Sequence, residues 1–215
     1  MPIEIKKHVR EFVHKYLDVT AEQEHAIVDY ALDTWQPLPK QVKYLQFVGG
    51  IGVGKTRALK IMECICCNPI VARGTSSPLS VAMMIHQSPP ATLILDEADI
   101  LPEQETEEDG YVAPNLFDTI LHVRARRETS IIVNAGKAMN VFGYTVLATR
   151  KRYDDPTLAS KCISIQLKDW SRSKENPELP SSSRRHISDA DVERIGELLK
   201  NYFDDVVTHE AYVTG

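Results

Sequence analysis

Eight residues constrain this chain more than any others. "GGIGVGKT", residues 49–56, follows the apolar run "YLQFV" and precedes the helix-compatible "RALKIMECICC". Four of the ten glycines fall within six positions here, a density that a globular chain has no use for in an ordinary turn. Gly49, Gly54, Lys55 and Thr56 satisfy G-x-x-x-x-G-K-[ST] without a gap. Glycines let the backbone turn and approach closely where a β-carbon would intrude. The run Gly49, Gly50, Ile51, Gly52, Val53 and Gly54 is thereby predicted to aim successive N–H groups at phosphate oxygens. A helix opening near Lys55, with Arg57 in its first turn, adds the positive end of its dipole. Lys55 is expected to reach the β- and γ-phosphates, and Thr56 to place its hydroxyl on a magnesium ion.

A second motif completes the first. "TLILDEAD" lies about forty residues on and reads as an apolar strand ending in two acids. Asp96 at the strand tip is expected to hold Mg²⁺ with Thr56. Glu97 is expected to polarise a water for attack on the γ-phosphate. That glutamate favours hydrolysis over transfer to a small acceptor, which disfavours a small-molecule kinase. Asp99 fits a turn cap as well as a chemical role.

The rest of the chain alternates strands with helices. Ile5, Val9, Phe12, Val13, Tyr16 and Leu17 recur at helical spacing, and Thr20 with Gln23 forms a capping-box pattern for a second helix. Strands are predicted at 44–48, 70–73, within "ATLILD" and at "CISIQL". Helices are predicted from Lys55 to about Cys67, from Ser77 to about Gln87 and from Pro114 to about Arg127. "TSIIVNAGKAMNVFGYTVLAT" reads as two strands joined by a loop at Asn134–Phe142. Asp155-Pro156 opens a short helical turn, and Ser188 with Asp191 starts a last amphipathic helix. Such alternation predicts an α/β fold, a mainly parallel sheet with helices on both faces, and ligands at the edge where the strands end. The expected organisation is a helical segment over 1–40, a phosphate-loop core over 41–170, and a linker with a C-terminal helix over 171–215.

Composition excludes several classes. At 43% apolar and 26% charged, the 215 residues resemble an ordinary globular chain. No apolar run approaches the ~20 residues a membrane span requires, and the N-terminus lacks a signal-peptide pattern. A cytoplasmic protein without membrane contact is expected. Cys64, Cys66, Cys67 and Cys162 lack zinc-site spacing and are expected to be reduced thiols. A net charge of −5 argues against a generally basic nucleic-acid binder but leaves room for a local basic groove.

"GGIGVGKT" followed by "LILDEAD" resembles the AAA+ class of P-loop ATPases. The run from "DTWQPLPKQVKYLQFVGGIGVGKTRALKIMECICCNPIVARGTSSP" to "FGYTVLATRKRYDDPTLASKCISIQL" resembles the ATPase domains of phage, plasmid and archaeal primase-helicases, a likeness that covers about residues 28–170. The resemblance implies a three-layer AAA+-like fold that uses ATP and Mg²⁺. It also implies a polar sensor of the γ-phosphate at the tip of the fourth core strand, where "VLATR" offers Thr149 or Arg150. An arginine donated to a neighbouring subunit's ATP is usual before the fifth strand. Lys161 stands there, without the planar fork of a guanidinium, and Arg150 and Arg152 are alternatives. A second arginine in a helical lid could be Arg184, Arg185 or Arg194, and the tail is short for a full lid. The resemblance implies a homo-oligomeric ring, such as a hexamer.

Two basic groups bear on nucleic acid. "RARRE" gathers Arg124, Arg126 and Arg127 at a predicted helix end, and "NAGKAMN" puts Lys137 at a hairpin tip before the sensor strand. In a ring these would face single- or double-stranded DNA and follow its backbone. The leading expectation is a DNA helicase, translocase or replication motor of a virus, plasmid or other mobile element. The alternative is an ATP-dependent protein remodeler or nucleotide switch, which suits the acidic stretch 103–110.

Overall fold

The computed structural model describes residues 3–98, 116–134, 136–168 and 186–213, with side chains to 204. Asp99, the acidic stretch 103–110, Arg184, Arg185 and most of the predicted linker lie outside the described residues.

Five strands build the central sheet: β1 (Tyr44–Val48), β2 (Pro69–Arg73), β3 (Thr92–Asp96), β6 (Thr145–Thr149) and β7 (Cys162–Gln166). Their order is β2-β3-β6-β1-β7, and every pairing is parallel. Strands β1 and β6 are buried at every residue, so both faces are covered and their sequences run apolar without alternation. All five strands end at one edge. Helix α3 (Lys55–Ile65) leaves β1 there, and β3 ends there at Asp96. Because β6 lies between β1 and β3, its own tip, Thr149, is held between the two halves of the predicted site.

One face carries α1 (Ile3–Tyr16), α2 (Ala21–Asp33), α3 and α7 (Asp189–Val213) on a shared core that includes Leu45, Phe47 and Ile94. The helices form where the pattern predicts. Thr20 accepts from the Gln23 backbone while the Gln23 side chain accepts from the Thr20 N–H, which satisfies two donors at the start of α2. Trp35 stacks on Phe203 of α7 at 5.3 Å and donates its indole N–H to the Ile65 carbonyl at 2.8 Å. The other face carries α4 (Pro78–Gln87), α5 (Leu116–Val123) and α6 (Pro156–Ala159). Helix α3 ends at Ile65 rather than Cys67, and α5 ends at Val123 rather than Arg127. The cysteines are free thiols, and burial pushes the Cys64 and Cys162 thiols up to about 11.

The segment read as two strands and a loop contains three strands. β4 (Ile131–Asn134) and β5 (Lys137–Asn140) form an antiparallel hairpin ahead of β6. Gly136, at φ +76°, supplies the left-handed residue of its turn. The inner residues Ile132 and Met139 are buried, whereas Ile131 and Val133 are 62% and 71% exposed.

The first and last helices are tied together. Asp191 Oδ2 accepts from Lys15 Nζ at 2.7 Å, from Ser188 Oγ at 2.7 Å and from the Tyr16 hydroxyl. These donors, Lys15 first, hold the Asp191 carboxyl well below the usual carboxylate range. A depressed carboxyl contributes stability above its unfolded value and loses it only as pH falls through the lower folded value. The tie therefore persists below pH 4. Asp191→Asn is expected to speed amide exchange in the first turns of α7 at pH 7 while leaving β1 and β6 unchanged. Equal protection in α7 of both proteins would dismiss the tie. Among the described residues, no helix is long and apolar enough to cross a membrane.

Candidate functional site

The loop between β1 and α3 owes its shape to particular glycines. Gly54 caps α3 at φ +94° and Gly52 sits at φ +81°, both in the region that side chains disfavour. A β-carbon on Gly49 would lie 2.5 Å from Val53 Cγ2 and 3.2 Å from the Leu167 carbonyl, so the loop closes on itself only with glycine there. Lys55 folds its ammonium back inside this loop, donating to the Gly49 and Gly50 carbonyls at 2.8 and 2.7 Å.

The strand tip meets the loop directly. Thr56 Oγ1 donates to Asp96 Oδ2 at 3.1 Å, and Asp96 Oδ1 accepts the Glu97 N–H at 2.9 Å. Glu97 has φ +54°, an uncommon angle for a residue with a β-carbon, and its side chain is exposed. A cavity of about 350 Å³ is lined by Gly52, Lys55, Thr56, Asp96, Glu97 and Arg150, with Ile51, Gly54 and Arg57 completing its wall. Thr56 and Asp96 present oxygens side by side, the donor type and the small number of protein ligands that magnesium takes beside phosphate. The residues fit that ion.

A second cavity, about 680 Å³, adjoins the first between α3 and the start of α7. Thr56 and Arg57 line both, and Lys60, His186, Asp189 and Val192 line the second alone.

Several expected residues are placed differently. Gly49 is not a phosphate donor: its N–H is given to the Thr149 carbonyl at 3.2 Å. Its job is close packing. Val53 also points inward, against the core under the loop. Of the two sensor candidates, Arg150 lines the smaller cavity and Thr149 does not. Thr149 is fully buried and accepts from Gln46 Nε2 at 3.0 Å, while Gln46 Oε1 accepts from Ser164 Oγ at 2.9 Å. This polar row pins β6, β1 and β7 together beneath the site. Gln46 is the odd letter in "YLQFV", and a lone amide inside an apolar strand is the sequence signal of such a buried polar row.

Lys161 is not a projecting finger. It is 9% exposed and donates to the His122 carbonyl at 2.6 Å, at the edge where strands begin. Burial first, then the Arg126 charge, lowers its pKa. Arg124 is likewise not a contact for DNA. It is fully buried, and its guanidinium donates to Thr145 Oγ1 and to the carbonyls of Ala91, Val141 and Tyr144, each at 2.7 Å. Arg126 and Arg127 are exposed, and Lys137 is exposed on the hairpin beside its turn. Arg152 and Arg194 are exposed and line neither cavity.

A G-x-x-x-x-G-K-T loop between a parallel strand and a helix, with an aspartate from a non-adjacent strand at its threonine, defines the three-layer P-loop NTPase fold. No protein-family model and no curated protein matches the chain. Among solved structures, 294 chains match. One is a mutant of Thermotoga maritima RuvB, at 15% identity and a TM-score of 0.46, over 71% of this chain and 47% of that one. The present chain thus spans about half the length of that structure.

Proposed function

We propose that this protein is a magnesium-dependent ATPase of the AAA+ kind, whose hairpin acts on DNA. The contact between Thr56 and Asp96 carries the reading. It joins the two halves of the site at a distance where one metal-bound triphosphate would touch both. Lys55 and the N–H groups from Ile51 to Thr56 would bind the β- and γ-phosphates. Thr56 and Asp96 would hold magnesium, which screens phosphate charge when bound. Base and ribose would extend along Arg57 toward the second cavity. Glu97 would accept hydrogen bonds from a water and orient it toward the γ-phosphate. Arg150, in the same cavity, would sense that phosphate.

Hydrolysis needs an output, and the hairpin is the candidate. It sits directly before β6, whose far end carries Arg150, and Lys137 lies exposed beside its turn. In a ring of subunits these lysines would follow a phosphate backbone, as in a replication motor of a mobile element. The exposed Ile131 and Val133 on the same hairpin favour a second reading, a remodeler of protein, because apolar residues recognise protein surfaces better than phosphates.

ATPase assays with and without single-stranded DNA at low salt decide between them. Stimulation is expected from DNA; stimulation by an unfolded protein instead would shift the reading to the remodeler. Lys55→Ala is expected to weaken ATP binding by roughly 10- to 100-fold, the loss of a charged hydrogen bond worth about 1.5–3 kcal/mol. Unchanged affinity by equilibrium titration would end the phosphate assignment.

A further inference from the structure

Strand β6 holds both halves of the candidate site by its last two carbonyls. The Ala148 carbonyl accepts the Ala98 N–H at 3.0 Å, one residue after Glu97. The Thr149 carbonyl accepts the Gly49 N–H at 3.2 Å, where the glycine-rich loop begins. Arg150, the next residue, lines the smaller cavity. The loop, the acidic turn and the cavity arginine all hang from one short stretch of backbone, residues 148–150.

That stretch is braced unevenly. The register of β6 with β3 runs from Thr145 to Leu147, whereas its register with β1 runs on to Thr149. Among the described residues, Thr149 thus has a strand neighbour on one side alone. The side chain of Gln46 reaches up from β1 to this tip. Gln46 lies opposite Leu147, and alternation puts Thr149 on the same face of the sheet. Nε2 donates to Thr149 Oγ1 at 3.0 Å, while Oε1 accepts from Ser164 Oγ at 2.9 Å. Gln46 is 1% exposed and Thr149 0%, so bulk water does not compete for the bond.

Stability alone does not call for an amide here. Burying one costs desolvation, and matched apolar groups in place of a buried hydrogen-bonded pair are close to neutral. What the amide supplies is direction. Ser164 occupies its oxygen, which leaves the Nε2 donor to face Thr149. The end of β1 is steadied from the β7 side as well, where the Val48 carbonyl accepts the Leu167 N–H at 2.8 Å and Gln166 Nε2 at 3.2 Å. The tip of β6 is therefore tied to the firm side of the sheet by a side chain and not by the ladder alone.

We infer that Gln46 is a positioning residue for the site above it. Through Thr149 it fixes the tip of β6, and through that tip the spacing of the glycine-rich loop, Glu97 and Arg150. Gln46 lines neither cavity, so it acts only through these neighbours. The kinetic side of the inference rests on the proposed hydrolysis, whereas its geometric side does not. A misplacement of about 1 Å, made far from the reacting atoms, lowers a rate by about 10²-fold. Nucleotide affinity is the less sensitive quantity, because Lys55 is held by the carbonyls of its own loop and not by β6.

Turnover and melting, measured together on the full chain, test it. Gln46→Met keeps the length of the side chain and removes its donor. It is expected to lower kcat for ATP roughly 10- to 100-fold and to leave the Kd for ADP within about threefold of wild type. Thr149→Val is expected to match it, whereas Thr149→Ser keeps the acceptor and is expected to retain kcat within about threefold. The chain carrying Gln46→Met, Thr149→Val and Ser164→Ala replaces the whole row with apolar groups. It is expected to melt with the wild type yet turn over as slowly as Gln46→Met, a split that a merely structural amide would not give. Wild-type kcat in Gln46→Met or in the triple variant, or a kcat that follows the melting temperature across the set, would overturn the inference. Hydrogen exchange without nucleotide reads the geometry by itself. The Gly49 and Ala98 amides are expected to exchange at least about tenfold faster in Gln46→Met, with those of Leu45 and Val146 unchanged. Should the wild type not hydrolyse ATP, the proposed function falls and exchange alone decides; equal protection of Gly49 and Ala98 in both proteins would then end this inference too.

Discussion

Glu97→Gln is expected to bind ATP with near wild-type affinity and to hydrolyse it about 10²- to 10⁴-fold more slowly, the usual contribution of a positioned general base. Glutamine matches the size of glutamate and keeps an oxygen that can hold a water. It cannot take a proton. The change also leaves the backbone contact to Asp96 Oδ1 intact, because that contact comes from the residue 97 N–H and not its side chain. The separation of binding from turnover is the diagnostic part. Single-turnover measurement with a pre-bound nucleotide reads it directly. Turnover within threefold of wild type would remove Glu97 from the chemistry and leave a binding protein.

The second large effect is structural and concerns Arg124. Its guanidinium keeps its charge at neutral pH, although burial lowers its pKa to about 10. It has no carboxylate partner among the described residues. Four oxygens at the starts of β3 and β6 and at the hairpin's base surround it instead. Arg124→Met fills similar space but leaves those four oxygens without their donor. Buried acceptors left unpaired cost about 1–3 kcal/mol each, with strong non-additivity, so a loss of about 4 kcal/mol is expected. At roughly 2–4 °C per kcal/mol for a chain of this size, the melting temperature should fall by about 10 °C. Arg126→Met, two residues on and exposed, is the control and should move it by no more than about 2 °C. Equal melting of the two variants would show that the buried cation is dispensable.

Arg124 and Gln46 also show how far the letters alone could be read. The loop at 49–54 was legible as the bend between β1 and α3, because so dense a run of glycines between an apolar stretch and a helix-compatible one has few other uses. Asp96 and Glu97 were legible because an apolar strand that ends in two acids has few bland explanations. The strand-helix alternation likewise implied the parallel sheet. What the letters did not carry was direction. "RARRE" reads as three equivalent arginines, yet the helix stops at Val123, which turns Arg124 into the core and leaves Arg126 and Arg127 at the rim. Lys161 precedes a strand as a finger would, but its side chain is spent on a carbonyl inside its own chain. Strands β4 and β5 are four residues each, too short for alternation to set their bounds within the 134–142 stretch. In each case tertiary packing, not local sequence, decided where the side chain went.

Glu97 sits in a left-handed backbone conformation that costs a residue with a β-carbon about 1–2 kcal/mol. Glycine or asparagine would relax that angle, so on the proposed mechanism the most heat-resistant sequence for this fold is not the one that hydrolyses ATP. A library screened for thermal endurance alone should enrich exchanges at position 97 and discard turnover with them. If Glu97 acts as proposed, its chemistry and its backbone pull the sequence in opposite directions.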